Sequence, residues 1–183
     1  REDIDARMLG RGRPFVAEVV APRRRTVNLQ RLEEKIKESS GGKVEVFGLR
    51  YVTKDAVEIV KNVKAAKTYR FKLRLGAKVE EKHLRAALEG LKGVIRQRTP
   101  RRVVHRRADI VREREVYDIC LIEFGKHPVV EIKCESGLYV KELVSGDEGR
   151  TKPSLSELLG VTAEVFELDV LDVEFELASS GDD

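Results

Sequence analysis

Three separated stretches hold the side chains of this sequence best suited to chemistry: Asp3 in REDID, Tyr69 in AKTYRF and Lys141 in GLYVKELVSG. Asp3 stands among arginines just ahead of an apolar run, where an ordinary surface or capping carboxylate would also be at home. Tyr69 alternates with Phe71, Leu73 and Leu75, a setting in which tyrosine is usually core with its hydroxyl satisfied locally. Lys141 falls between Val140 and Leu143 on a strip expected to face inward. Burying an unpaired ammonium is costly, so that lysine must snorkel or meet an acid brought from elsewhere. Asp5 could simply point away, whereas pairing Asp3 with Lys141 would keep that acid ionised, because a nearby cation lowers a carboxylate's pKa. The outcome would be one charged, partly dry aspartate beside an aromatic ring able to stack on a substrate.

Charge along the chain is uneven. Arg96 to Arg114 holds eight arginines against Asp109 and Glu113, although the whole chain carries only +4. From Leu155 onward there are nine acids and no Lys or Arg. A polyanion would approach the first segment and avoid the second. A solvated face with its own counter-charges is the plainer reading, but the local acids are too few to neutralise it. Nucleic-acid contact is therefore expected from Arg96, Arg98, Arg101, Arg102, His105, Arg106 and Arg107. Thr99-Pro100 is expected to hold their loop out from a sheet. Arg11 and Arg13, with Arg23, Arg24 and Arg25, could form a second clamp near Asp3.

Length and composition bound the rest. A chain of 183 residues, 41% hydrophobic, is long enough for one domain with a core of its own. Charged residues at 37% exceed the usual quarter, a bias that resembles heat-adapted proteins. No apolar run is long enough to span a membrane. The lack of a basic-then-apolar leader predicts a cytoplasmic protein. A start without Met predicts a trimmed fragment. Cys120 and Cys134, with the scattered His83, His105 and His127, make no zinc motif. The cysteines flank the turn GKHP and are expected as buried thiols, with a hairpin disulfide open only in a hyperthermophile.

The elements that would position these groups can be read in order. Phe15–Val20 reads as a strand, followed by a helix with Leu29, Leu32 and Ile36 on one face and Gly41-Gly42 as its stop. KVEVFGLRYV alternates as a strand and KDAVEIVKNV as a helix. KTYRFKLRL is a strand, and VEEKHLRAALEGLKG a helix closed by Gly93. EVYDICLIEF and PVVEIKCE form a hairpin, GLYVKELVSG and PSLSELLG start helices, and AEVFELDVLDVEFEL closes as a strand. Hairpins interleaved with helices predict an α+β fold, a mixed and largely antiparallel sheet with helices mainly on one face. Residues 1–177 are expected as one domain and 178–183 as a disordered tail.

REDIDARMLGRGRPF, KTYRF, QRTPRRVVHRRAD and GLYVKELVSGDEGRT together resemble the archaeal and eukaryotic tRNA pseudouridine synthases acting on uridines 54 and 55, from Arg1 to about Leu171. The resemblance implies a pseudouridine-synthase-like sheet flanked by helices, tRNA as partner, and no metal or other cofactor. It implies Asp3 as nucleophile or base, Tyr69 as the active-site tyrosine and Lys141 as the aspartate's partner. Val140 and Leu168 would line the pocket, and the arginine-rich loop would grip the tRNA. Family members also carry a long amino-terminal region that is absent here. A non-catalytic RNA-binding fragment using Arg96–Arg114, or a hydrolase releasing free uracil, are the competing readings.

Overall fold

The structure, a computed structural model, describes residues 5–62 and 64–175. The chain divides into two compact units: residues up to Arg13 together with those from Lys64 onward, and Pro14–Val63.

In the larger unit, β1 (Arg7–Met8) is followed by β2 (Lys67–Leu75), α1 (Glu81–Glu89), β3 (Gly93–Arg98) and a 3-10 helix (Arg101–Arg106). Then come β4 (Val111–Glu123), β5 (Val129–Cys134), α2 (Val140–Ser145), β6 (Thr151–Lys152), α3 (Leu155–Leu159) and β7 (Ala163–Val173). The seven strands form one sheet in the order β1-β7-β2-β5-β4-β3-β6, parallel only at β1–β7. This is the expected α+β, largely antiparallel architecture.

One row of the sheet shows why the alternation in sequence works. Met8, Val170, Tyr69, Ile132 and Ile119 sit opposite one another across β1, β7, β2, β5 and β4. All but the partly buried Met8 are fully buried and join one core with Leu84 and Leu88 of α1, Leu143 of α2 and Leu155 of α3. The other side of the strands carries cross-strand ion pairs, Arg70–Glu131 at 2.5 Å and Lys72–Glu167 at 2.8 Å. Period-2 alternation thus separates a helix-covered face from a charged one.

Several boundaries differ from expectation. The helix read through Gly93 stops at a cap on Gly90, and Gly93 opens β3 with φ of 98°. β3 itself, GVIRQR, is hidden in sequence by its arginines, yet Ile95 and Gln97 face inward and are buried. Cys120 is exposed and Cys134 buried; they oppose Glu131 and Val116 rather than each other, so no disulfide joins them across the hairpin.

Pro14–Val63 contains two helices, α4 (Leu29–Ser39) and α5 (Asp55–Asn62). Asn28 caps α4 by accepting from the Arg31 amide at 2.9 Å. The strands expected at Phe15–Val20 and Lys43–Val52 do not form. A strand needs an edge to pair with, and neither segment finds one among the described residues. Their alternating side chains stay open, with Val19 72% and Phe47 70% exposed.

The amino-terminal segment is fixed to β7. The Arg7 guanidinium donates two hydrogen bonds to Asp169, at 2.6 and 2.8 Å, and Leu9 N donates to Val170 O at 2.9 Å. Gly10 then turns at φ of 67°, where a Cβ would lie 2.1 Å from the Leu171 carbonyl oxygen. Leu171 is the extra residue of a bulge, since Tyr69 opposes Val170 while Thr68 opposes Asp172. Gly10→Ala is therefore expected to destabilise the protein by roughly 1–3 kcal/mol, from left-handed backbone strain plus the clash. An unchanged thermal unfolding midpoint would show that the turn relaxes freely.

Candidate active site

The short helix α2 is held on three sides. Val140, Leu143 and Val144 are buried beneath it, each contributing on the order of 1.5–3 kcal/mol of burial. Its entry is held by Gln97 of β3, whose amide accepts from Tyr139 N at 2.8 Å and donates to Tyr139 O at 3.0 Å. Its exit is Gly146 at φ of 82°, whose amide donates to Glu142 O at 2.8 Å. Gln97 is 1% exposed, and this two-way bond satisfies both ends of a buried amide that would otherwise be costly. Lys141 thus projects from a helix with little freedom to move.

Lys141 meets an acid. Its Nζ lies 2.8 and 2.6 Å from the two carboxylate oxygens of Asp5. The lysine side chain is 26% exposed and the aspartate's 58%, so the pair sits at the rim of the core. The hydrogen bond from Lys141 holds the Asp5 carboxyl below its ordinary value of 3.8, against a smaller upward push from burial; the charges of Lys141 and Arg102 add to the lowering. Asp3, the acid expected here, lies outside the described residues. The sequence leaves the direction of Asp5 open, and the structure puts its carboxylate on Lys141. The signal available was the REDID spacing itself, which offers two aspartates to one lysine.

Tyr69 occupies the central row of the sheet beside the Leu171 bulge and is 4% exposed. Leu168, two residues before Val170 on β7, opposes Phe71 and is 6% exposed. Val140, Tyr69 and Leu168 belong to the same buried cluster. A planar substrate can meet the tyrosine only where atoms now covering the ring give way.

Five of the expected RNA-binding arginines pair with acids. Arg96 pairs with Glu113 at 3.7 Å, Arg98 with Asp109 at 2.8 Å and Arg101 with Glu148. Arg102 pairs with Glu142 at 2.6 Å and Arg11 with Asp172 at 2.5 Å. Acids from beyond Arg96–Arg114 pair with Arg101 and Arg102 of that window, so counting charge within it overstated its excess. Thr99 and Pro100 do not hold the loop out from the sheet; they are buried and anchor it. Thr99 N donates to Ile110 O at 2.9 Å, and Arg150 donates to Thr99 O at 2.7 Å. His105 and Arg106 are exposed, and Arg107 reaches the Tyr139 hydroxyl at 3.4 Å. Arg13 lies in the larger unit and is exposed; Arg23, Arg24 and Arg25 are exposed in the smaller unit.

Residues 1–174 match the sequence family described as Pus10, C-terminal. The chain belongs to the Pus10 C-terminal family. It is 56% identical over 174 residues to the tRNA pseudouridine synthase Pus10 of Methanothrix thermoacetophila, covering 94% of this chain and 38% of that protein. The same identity holds over 174 residues with the Archaeoglobus fulgidus protein of that name, covering 94% and 48%. This Pus10 C-terminal chain therefore spans less than half the length of those two relatives. Among solved structures it resembles a chain of a Cbf5-Nop10-Gar1 complex, with a TM-score of 0.55 and 25% identity over 67% of this chain and 35% of that one. A chain of an H/ACA RNP bound to a substrate RNA containing 2'-deoxyuridine shares the fold, with a TM-score of 0.53 and 20% identity over 80% and 44%. No helix among the described residues is long and apolar enough to cross a membrane.

The lowered pKa of Asp5 has a consequence with a definite sign. Its folded value lies below that of a free aspartate, about 3.9. The pair's stabilisation is therefore present above that pH and is lost as pH falls through the folded value. Replacing Lys141 with Met is expected to raise the Asp5 pKa, read by carboxyl carbon NMR titration. An unshifted titration would mean that Lys141 does not hold the acid.

Proposed function

We propose that this chain is the catalytic part of a tRNA pseudouridine synthase, acting on uridine in the TΨC loop at position 54, 55 or both. One observation carries the reading: the aspartate-bearing amino-terminal segment comes back, across most of the chain, onto Lys141 of the braced helix α2. The printed names of the Pus10 relatives support the reaction, and the likeness to the chain from the Cbf5-Nop10-Gar1 complex agrees with it.

The reaction breaks the bond from ribose C1′ to uracil N1, turns the base and joins C1′ to C5. The C5 proton leaves to solvent and N1 gains one, so atoms and electrons balance without a redox partner. Asp3 is the carboxylate that meets the sugar, as nucleophile at C1′ or as base beside it, work for which glycosidases also use carboxylates. Asp5 has both oxygens on Lys141, and the resemblance assigns the acid at the sugar to Asp3. Lys141 keeps the local field positive and the carboxylates ionised. Val140 and Leu168 give the base an apolar wall.

Extruding a uridine from a folded loop costs a few kcal/mol, of which stacking on Tyr69 would return roughly 1–3 kcal/mol. Phosphate contacts must supply the rest, and Arg106 and Arg107, with the exposed His105, are candidates from the basic loop. Arg11, Arg13 and Arg23 to Arg25 are further candidates. An affinity built this way falls steeply with salt.

The test is Asp3→Ala in the full-length protein carrying this chain, with tritium release from C5-labelled uridine as readout. Loss of release by at least about 1,000-fold, with tRNA binding kept, is expected for a group that reacts at the sugar. Unchanged release would remove Asp3 from the mechanism, and free uracil in the products would identify a hydrolase. Binding with no turnover in the unsubstituted protein would leave an RNA-binding module.

A further inference from the structure

Arg102 stands among arginines expected to touch RNA, but its guanidinium is turned inward. Nε lies 2.6 Å from one carboxylate oxygen of Glu142, and an Nη atom lies 3.2 Å from the other. The Glu142 side chain is only 7% exposed. A carboxylate so covered is costly unless a cation answers it with good geometry, and the planar guanidinium fork supplies that geometry where an ammonium could not.

Glu142 follows Lys141 directly on α2. Successive helix positions point about 100° apart, so α2 offers a cation to the amino-terminal segment and an anion to the basic loop. The loop is fastened on both sides of this contact. Arg101 N donates to Asp147 at 3.0 Å, and its guanidinium also pairs with Glu148. At the loop's base, Thr99 is bonded to Ile110 and Ala108. Tyr139, which leads into α2 and is itself held by Gln97, has its ring 6.0 Å beneath the Arg102 guanidinium. The charges therefore alternate along one path: Asp5, Lys141, Glu142, Arg102.

We propose that Arg102 and Glu142 are positioning residues: their ion pair locks the RNA-facing loop and the Lys141 helix into one register, so that tRNA held by the loop presents its uridine at the acid. This builds on the pseudouridine synthase reading. It separates Arg102 from the other cations of the same loop, which act on the phosphates directly.

The experiment uses the full-length protein with Arg102→Lys, Glu142→Gln, the double variant and Arg106→Ala. Turnover, tRNA affinity across a salt series, and hydrogen exchange of residues 101–107 and 139–145 are measured for each. Arg102→Lys keeps the charge but loses the fork, so it is expected to lower kcat by about 10- to 100-fold with KM and the salt slope unchanged. Glu142→Gln should match it, and the double variant should be no worse than either single change, as for one shared interaction. Both segments should exchange faster in Arg102→Lys. Arg106→Ala should instead weaken tRNA binding and reduce the salt slope by about one.

The proposal is overturned if Arg102→Lys leaves turnover and exchange unchanged. It is equally overturned if Glu142→Gln tightens tRNA binding, as it would by releasing a phosphate-binding arginine. Should Glu142→Gln fail to fold, Arg102→Lys alone decides. If the unsubstituted protein makes no pseudouridine, the functional reading fails, and the exchange measurement still decides whether the pair holds loop and helix together.

Discussion

The contact on which the site depends is the ion pair between Asp5 and Lys141, groups 136 positions apart in the chain. An ammonium at the rim of a hydrophobic core is tolerated only if a carboxylate reaches it, and a carboxylate reaches it only if the amino-terminal segment runs along β7. β1 provides that path. It is short, but Arg7 on Asp169, the backbone bond from Leu9 and the close turn at Gly10 fix its register against the bulge at Leu171. The same bulge lies beside Tyr69, so one irregularity of the sheet serves both the acid-bearing segment and the aromatic ring.

Charge that is segregated along the sequence is mixed in space. The acids of the closing strand meet cations from other strands and the amino-terminal segment: Arg7 and Asp169, Arg11 and Asp172, Lys72 and Glu167, Lys133 and Glu174. The arginine-rich loop likewise draws acids from α2 and the turn after it. Most of these pairs are exposed and contribute little stability individually. Their effect is on placement. They remove cations from the pool available to a polyanion and leave a smaller set, Arg106 among them, facing outward.

Much of this architecture was legible in the residues. KTYRFKLRL, the EVYDICLIEF–PVVEIKCE hairpin and AEVFELDVLDVEFEL declared themselves as strands by alternation, and they form the central ladders. Lys141 on an apolar strip had to snorkel or meet a distant acid, and it meets Asp5; Asp3, the acid expected there, lies outside the described residues. Other features have no local signature. β1 and β6 are two residues each and exist only because longer strands offer them an edge. GVIRQR conceals a strand because its outward positions are arginines. Phe15–Val20 and KVEVFGLRYV show the converse, alternation with no partner edge among the described residues. Gln97 and Glu142 were missed because a buried polar residue is recognisable only by the group it satisfies.

The central claim is that the Asp5–Lys141 pair holds the amino-terminal segment to helix α2. Hydrogen exchange of Arg7–Leu9 and of Val140–Ser145, compared between the unsubstituted protein and Lys141→Met, tests it most directly. Faster exchange in both segments, with β2 and β5 unaffected, is the predicted result. Protection unchanged in Arg7–Leu9 would contradict the account, because the strand contacts alone would then hold the acid in place.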